Sequence, residues 1–400
     1  MRKVSKSKSA RVSRRADETK SFIVFDIYER AYEMRREGRE PILLSVGEPD
    51  FRTPQPVVEA CKKAMMEGRT QYTHSLGIIE LREAICAQYH KNYGVDINPD
   101  RIMVCSGTSP AMMMLFGALL ERDDNVILPN PYYPCYPNFI RFLGGEVNLV
   151  DVREQEGFQY RPEDIKARVD DRTAAIMINS PGNPTGTLMP PDRMAAVAQI
   201  GPPVISDEIY HGLVYGEREH SILEFDPDSF VLNGFSKRYA MTGWRLGYLI
   251  APSEFMGPLQ RMQQNFQISV NTFTQYGAVA ALTDPAVDRE VKHMAETFDR
   301  RRRYMIERLS RMGFGIATEP KGAFYVFVNA KRFTNDSYRF AFELLERAEV
   351  GVTPGVDFGP AGEGFLRFSY ANSMEKIEEG LNRLEKYLAD IEECEPGEKT

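Results

Sequence analysis

The sequence predicts an α/β fold with a large, mostly parallel seven-stranded sheet covered by helices, and three observations carry that expectation. Seven strand-length runs are mostly apolar on both faces: Ile102–Cys105, Val126–Leu128, Glu146–Val150, Ala174–Asn179, Pro203–Ser206, Phe230–Asn233 and Leu246–Ile250. Strands covered on both faces read this way, whereas half-exposed strands alternate. Helical patterns fall between several of them, for example Ala111–Glu121 and Asp192–Ile200, which favours parallel crossovers over hairpins. At 400 residues, 42% hydrophobic and 27% charged, the chain can also bury a large core and support a second lobe.

Composition narrows the function classes. No apolar run approaches the roughly 18 residues needed to cross a membrane, and no signal-peptide core is visible, so a cytoplasmic protein without a membrane partner is expected. The cysteines (Cys61, Cys86, Cys105, Cys135, Cys394) are scattered, odd in number and without a CxxC pair. They indicate neither a disulfide framework nor a metal site. Residues 1–20 carry a net charge of +6, from Arg2, Lys3, Lys6, Lys8, Arg11, Arg14, Arg15 and Lys20 against Asp17 and Glu18, within a chain of net −7. This reads as a solvated, mostly disordered arm, and the acidic remainder argues against a nucleic-acid partner.

In open α/β sheets ligands gather at the carboxyl ends of strands, and the chemically suggestive residues of this chain lie there. After the first strand, Cys105-Ser-Gly-Thr-Ser-Pro-Ala111 opens a helix. Gly107 permits close backbone approach, Thr108 or Ser109 can cap, and Pro110 suits the first helical position; the free N–H groups there can hold an anion or bind nothing. After the second, Asn130-Pro-Tyr-Tyr-Pro-Cys-Tyr-Pro137 has prolines that forbid a continuous helix and tyrosines that can stack on an aromatic ligand or pack in a core. After the fourth, Ser180-Pro-Gly-Asn-Pro-Thr-Gly186 is a rigid turn that fixes the amide of Asn183.

Past the fifth strand, Asp207 can serve a ring nitrogen or cap a helix, and Tyr210 shares its face if the segment is helical. Past the sixth comes Asn233-Gly-Phe-Ser-Lys-Arg-Tyr-Ala-Met-Thr-Gly-Trp-Arg-Leu-Gly247. A lysine at the mouth of a buried strand loses solvation, which lowers its pKa and frees the amine to attack a carbonyl such as that of pyridoxal phosphate. Ser236 and Arg245 offer a hydroxyl and a planar donor fork for a phosphate. A solvated surface lysine is the alternative reading of Lys237 taken alone.

Taken together, Gly47-Glu-Pro-Asp-Phe51, Gln71-Tyr-Thr73, Ser180–Gly186, Ser206-Asp-Glu-Ile-Tyr210, Asn233–Lys237, Met241-Thr-Gly-Trp-Arg245 and Phe365-Leu-Arg-Phe-Ser369 resemble, in order, the class I/II aminotransferases, fold-type I enzymes dependent on pyridoxal 5′-phosphate. The resemblance spans about residues 11–390. It implies Lys237 as the Schiff-base lysine, Asp207 as partner of the pyridine nitrogen, Asn183 and Tyr210 at the ring oxygen, and Tyr133 stacked on the ring. Gly107, Thr108, Ser109, Ser236 and Arg245 match the phosphate cup, with Tyr72 added from a second subunit of a homodimer. Arg367 matches the arginine that grips the substrate α-carboxylate, with Gly47 beside it. The implied organisation is a large cofactor-binding domain, 48–285, and a small α+β domain from 21–47 and 286–400, after the basic arm 1–20.

The implied reaction is a ping-pong exchange of an amino group between an α-amino acid and a 2-oxo acid. Aspartate-type relatives commonly carry a lysine at the place of Ser109, so its absence here favours an apolar or aromatic donor, with 2-oxoglutarate or pyruvate as acceptor. A C–S β-lyase of the same fold would use the same cofactor residues. A non-catalytic, regulatory binder of the cofactor would need an added DNA-binding unit, for which the basic arm is too short.

Overall fold

Every one of the seven apolar runs forms a strand of one large sheet in the computed structural model, which describes residues 11–394. After a two-residue strand β1 (Ile42–Leu43), the sheet is built from β2 (Ile102–Cys105), β3 (Asn125–Asn130), β4 (Glu146–Asp151), β5 (Thr173–Asn179), β6 (Val204–Asp207), β7 (Phe230–Gly234) and β8 (Gly247–Ile250). Their spatial order is β2-β8-β7-β6-β5-β3-β4. All neighbours are parallel except β8, which runs against both β2 and β7.

Alternate residues of these strands feed two separate cores. Val104, Ile127, Ile176, Ile178 and Val231 pack on one face, and Met103, Val126, Leu128, Met177 and Leu232 on the other. That is why the strands read as unbroken apolar runs: period-two alternation is present, but both faces are covered.

The small lobe is built on β9 (Tyr325–Asn329), β10 (Val350–Gly351), β11 (Thr353–Pro354) and β12 (Phe365–Ser369). β12 lies antiparallel between β11 and β9, and β10 pairs in parallel with β1, so a strand from the N-terminal part completes the C-terminal lobe. The 27-residue helix Pro285–Arg311 leads into it, started by the Asp284 carboxylate accepting from the Ala286 N–H at 2.7 Å and by proline at the first turn. Its Arg301 forks onto Asp50 at 2.8 and 3.0 Å, tying the helix to the segment after Gly47.

Several local expectations are corrected. The helix that follows β2 spans Thr108–Leu119, with Gly107 as N-cap at φ 98° and no capping side chain. Thr108 and Ser109 are therefore helical residues rather than caps, because the left-handed glycine makes the turn itself. Tyr210 stands on a turn directly after β6, not on a helix. The proline-rich segment passes into a helix, Cys135–Phe142, which accommodates Pro137 in its first turn, where its missing N–H is not needed. In the small lobe the sequence reads as a strand over Gly322–Val328 and a helix over Tyr338–Ala348; the structure forms the strand at Tyr325–Asn329 and an α-helix Ser337–Glu343 followed by a π-helical turn Leu344–Ala348. Residues 1–10 of the basic arm lie outside the described residues; the rest is not structureless, since Arg14–Asp17 form a short helix and the Arg15 guanidinium lies 5.7 Å from the Phe142 ring centroid. Among the described residues no helix is long and apolar enough to cross a membrane.

Candidate active site

The carboxyl ends of β2, β3, β5, β6 and β7 open on one edge of the sheet. Because β8 is antiparallel, its amino end reaches the same edge and delivers Arg245 there, beside Gly107. An ideal Cβ on Gly107 would come within 2.6 Å of the Arg245 Nη2, so the close approach of guanidinium and backbone needs glycine at that position. These ends and the small lobe enclose a cavity of about 520 Å³. Gly47, Thr108, Ser109, Tyr133, Asn183, Asp207, Tyr210, Ser236, Lys237, Arg245 and Arg367 all line it. Gly107 sits just behind Arg245, and Tyr72 is outside, 78% exposed on the surface of this chain.

Lys237 is half-buried, and its Nζ donates to the Gly47 carbonyl at 2.6 Å. Desolvation pushes its pKa down to about 8; the neighbouring Glu48 carboxylate opposes the shift, and the cations Arg367 and Arg245 reinforce it. Asp207, the last residue of β6, is buried. Its Oδ2 accepts from the Tyr136 hydroxyl at 2.6 Å and its Oδ1 from the Ile209 N–H at 3.2 Å. Burial outweighs those donors and pushes the carboxyl up to about 6. Asn179, the last residue of β5, donates to the Asp207 backbone carbonyl at 2.8 Å and accepts from the Asn183 N–H at 2.8 Å, so one side chain joins two strand ends.

Arg367 stands in the middle of β12 and is 3% exposed. Its guanidinium donates to Asn183 Oδ1 at 2.8 Å, the Ser45 carbonyl at 3.0 Å and Thr353 Oγ1 at 3.2 Å, while its Nε has no partner in the structure. It lies 4.3 Å from the Tyr325 ring centroid. The Asn183 carbonyl oxygen is thus occupied, which leaves its NH₂ as the group available to a ligand acceptor. Tyr210 and Tyr325 share a hydroxyl contact of 3.0 Å, and Tyr133 packs edge-on against Phe22 and Tyr136.

Sequence reasoning missed several lining residues. Tyr136 sat in the tyrosine-rich segment already singled out, and the strand-end position of Asn179 was a usable signal. Glu48 and Thr242, whose hydroxyl donates to the Glu48 carboxylate, lay inside quoted motifs. Tyr325 and the Phe22, Phe25 and Tyr28 side chains come from the small lobe and the N-terminal helix Ile23–Arg36 with its flank, remote in sequence and without a local pattern to mark them.

A seven-stranded α/β sheet with an amine of lowered pKa, a buried carboxylate and two guanidiniums brought to one cavity suits chemistry on small molecules that carry amino and carboxylate groups. The chain belongs to the aminotransferase class I and II family, whose model matches residues 39–384. It is 41% identical, over 94% of its length and 99% of the relative's, to a (5-formylfuran-3-yl)methyl phosphate transaminase of Methanocaldococcus jannaschii. It is 37% identical, over 94% and 98% of the two chains, to the aspartate/prephenate aminotransferase of Thermus thermophilus. Among solved structures it is similar to an aspartate aminotransferase of Thermus thermophilus with maleate, at 36% identity and a TM-score of 0.91 over 94% of this chain and 100% of that one. The chain is an aminotransferase with the α/β architecture of that family.

Proposed function

We propose that this aminotransferase works with pyridoxal 5′-phosphate held in the 520 Å³ cavity, and that Lys237 is the residue joined to it. The observation that carries the reading is the Lys237 amine, shifted down to about 8 and facing the same cavity as the buried Asp207. The donor set fits the group. The helix N-terminus at Thr108, the glycine beside it, the hydroxyls of Thr108, Ser109 and Ser236 and the Arg245 fork suit a phosphate. Tyr133 offers a ring face, Asp207 an acid for the ring nitrogen, and the Asn183 NH₂ with the Tyr210 hydroxyl suit the ring oxygen.

When bound, the cofactor supplies a carbonyl that receives the amino group and a ring that withdraws the electrons left on the substrate Cα. Arg367 orients the substrate carboxylate, aided by the Gly47 backbone. Asn183 and Thr353 hold the Arg367 guanidinium in place before any substrate arrives. Once its amine is free of the cofactor, Lys237 would take the proton from the substrate Cα, for which an amine with a lowered pKa is suited. Phe22, Phe25 and Tyr28 shield the mouth from water. Tyr72, exposed here, acts across a homodimer in a second copy's site, and the protein is cytoplasmic. The large domain spans 48–285 and the small domain 21–47 and 286–400.

For the donor, we favour an apolar or aromatic amino acid, with 2-oxoglutarate or pyruvate as acceptor. Ser109 stands where aspartate-type relatives commonly carry lysine. With Arg245 assigned to phosphate and Arg367 to the α-carboxylate, the only other lysine or arginine on this lining, among the described residues, is Lys237. The aromatic mouth and the Glu48 carboxylate also suit an uncharged side chain better than an anionic one. The test is the absorbance of the purified protein on adding single amino acids, aspartate, alanine and phenylalanine among them, with product analysis on each. Loss of the cofactor band with a matching 2-oxo acid, and its return on adding an acceptor, is expected for phenylalanine. A strong aspartate preference overturns the donor assignment, and ammonia appearing with pyruvate moves the case to a lyase.

A further inference from the structure

Lys237 lines the catalytic cavity, and the next residue, Arg238, lines a separate one of about 270 Å³. Three segments meet there: 51–54, which continues from the Gly47 loop; the turn 238–240 after the lysine; and the face of the long helix that carries Arg289, His293 and Met294. Arg52, Arg238, Arg289 and His293 all line this space. Among the described residues none of these four groups makes an ion pair within 4 Å, and neither does Glu290, the one carboxylate on the lining. The acidic groups whose charge reaches Arg238 are engaged elsewhere: Glu219 accepts from Tyr93 and the Gly212 N–H, and Asp288 faces Lys91.

Arg238 is also fixed in place. Its stem crosses Gly212 so closely that a Cβ there would stand 2.5 Å from its Cδ, and among the described residues its buried Nε has no hydrogen-bond partner. A buried donor left unpaired is unfavourable unless an acceptor joins it. The rest of the lining is apolar, with Phe51, Tyr239, Val291 and Met294 offering ring and aliphatic surface.

We infer that this second cavity is a binding site for a small organic carboxylate with an apolar body. The carboxylate lies among the guanidiniums of Arg52, Arg238 and Arg289, and the body lies on the apolar wall. A bare inorganic anion would leave that wall unused, and a neutral apolar ligand would make no use of the arginines. An occupant bridges the residue after Lys237 to the long helix leading into the small lobe, so the site does not depend on which substrate the catalytic cavity takes.

The test is a fluorine NMR titration of the holoenzyme with 4-(trifluoromethyl)phenylacetate, alongside its neutral amide. Saturable binding of the acid is expected, with the amide at least about tenfold weaker. The double variant Arg52→Glu/Arg289→Glu should weaken the acid at least about tenfold, with turnover and melting temperature unchanged. If the double variant does not fold, Arg289→Ala alone, on the exposed face of the helix, should still weaken binding by about threefold. Absence of saturable binding, or equal affinity in wild type and folded variant, overturns the assignment, the latter by placing the probe elsewhere.

Discussion

Asp207 and Glu208 are adjacent in sequence, both carboxylates, both buried, and they end in opposite kinds of place. Asp207 faces the catalytic cavity with the Tyr136 hydroxyl and the Ile209 N–H as its donors. Glu208 points away, where its Oε1 accepts from Ser206 at 3.1 Å, Ser221 at 2.9 Å and the Ile222 N–H at 3.1 Å, and its Oε2 accepts from Tyr89 at 3.0 Å. His211 stands 3.5 Å from it, bonded in turn to the Ser180 carbonyl and the Tyr93 hydroxyl. Burial raises both carboxyls, but Glu208 has nearly every lone pair occupied by the protein, whereas Asp207 keeps acceptor capacity toward the cavity. The difference teaches that a buried charge whose partners are all internal serves the fold, and one left short of partners is available to a ligand.

The sharpest way to break that comparison is Lys237→Ala on the cavity side. Turnover should fall by about 10²–10⁴-fold or more, with a melting temperature no lower than wild type, because a desolvated amine is removed with it. Unfolding of that variant, seen by circular dichroism, would mean the cavity side is structural too. On the opposite side, Glu208→Leu strands the hydroxyls of Tyr89 and Ser221 and the Ile222 N–H. Chemical denaturation should show a stability loss of about 3 kcal/mol or more. A stable but inactive Glu208→Leu would reverse the roles assigned to the two neighbours.

Tyr136→Phe removes one of the donors that oppose the effect of burial on Asp207. The carboxyl should then titrate above its present value of about 6, read by infrared difference spectroscopy of the apoprotein, with a stability change of about 1 kcal/mol. The smallest effect is expected at Lys237 itself. Its pKa lies below the ordinary 10.5, so the uncharged, reactive amine accumulates as pH rises through about 8. Acylation of Lys237 in the apoprotein, followed by mass spectrometry, should show that midpoint. Glu48→Gln, which removes the carboxylate favouring the charged form, should move it lower; a midpoint near 10.5 in the wild type would remove the desolvation argument.

Much of this was legible in the sequence because it is local. The seven strands announced themselves by apolar runs, and Lys237, Asp207, Asn183 and Arg245 by falling just beyond or before strand ends. Within this chain Tyr72 does not reach the cavity, and no local pattern could say so. The support of the site was less legible because it is built from distant pairs. Tyr325 meets Tyr210 across 115 positions, and Arg367 meets Asn183 across 184. Nothing in the β12 sequence says that its central arginine will be held by a turn from the other lobe. The cap assignment failed where Gly107, a glycine with positive φ packed against Arg245, replaced the expected side-chain cap.

The reversed direction of β8 has a consequence for how this chain tolerates change in length. Lys237 and Arg245 hang from the two sides of one hairpin whose strands are locked in register from Val231↔Ile250 to Gly234↔Gly247. The connection between them therefore acts as a ruler, setting the span from amine to guanidinium. One residue inserted between 235 and 246 would change that span directly.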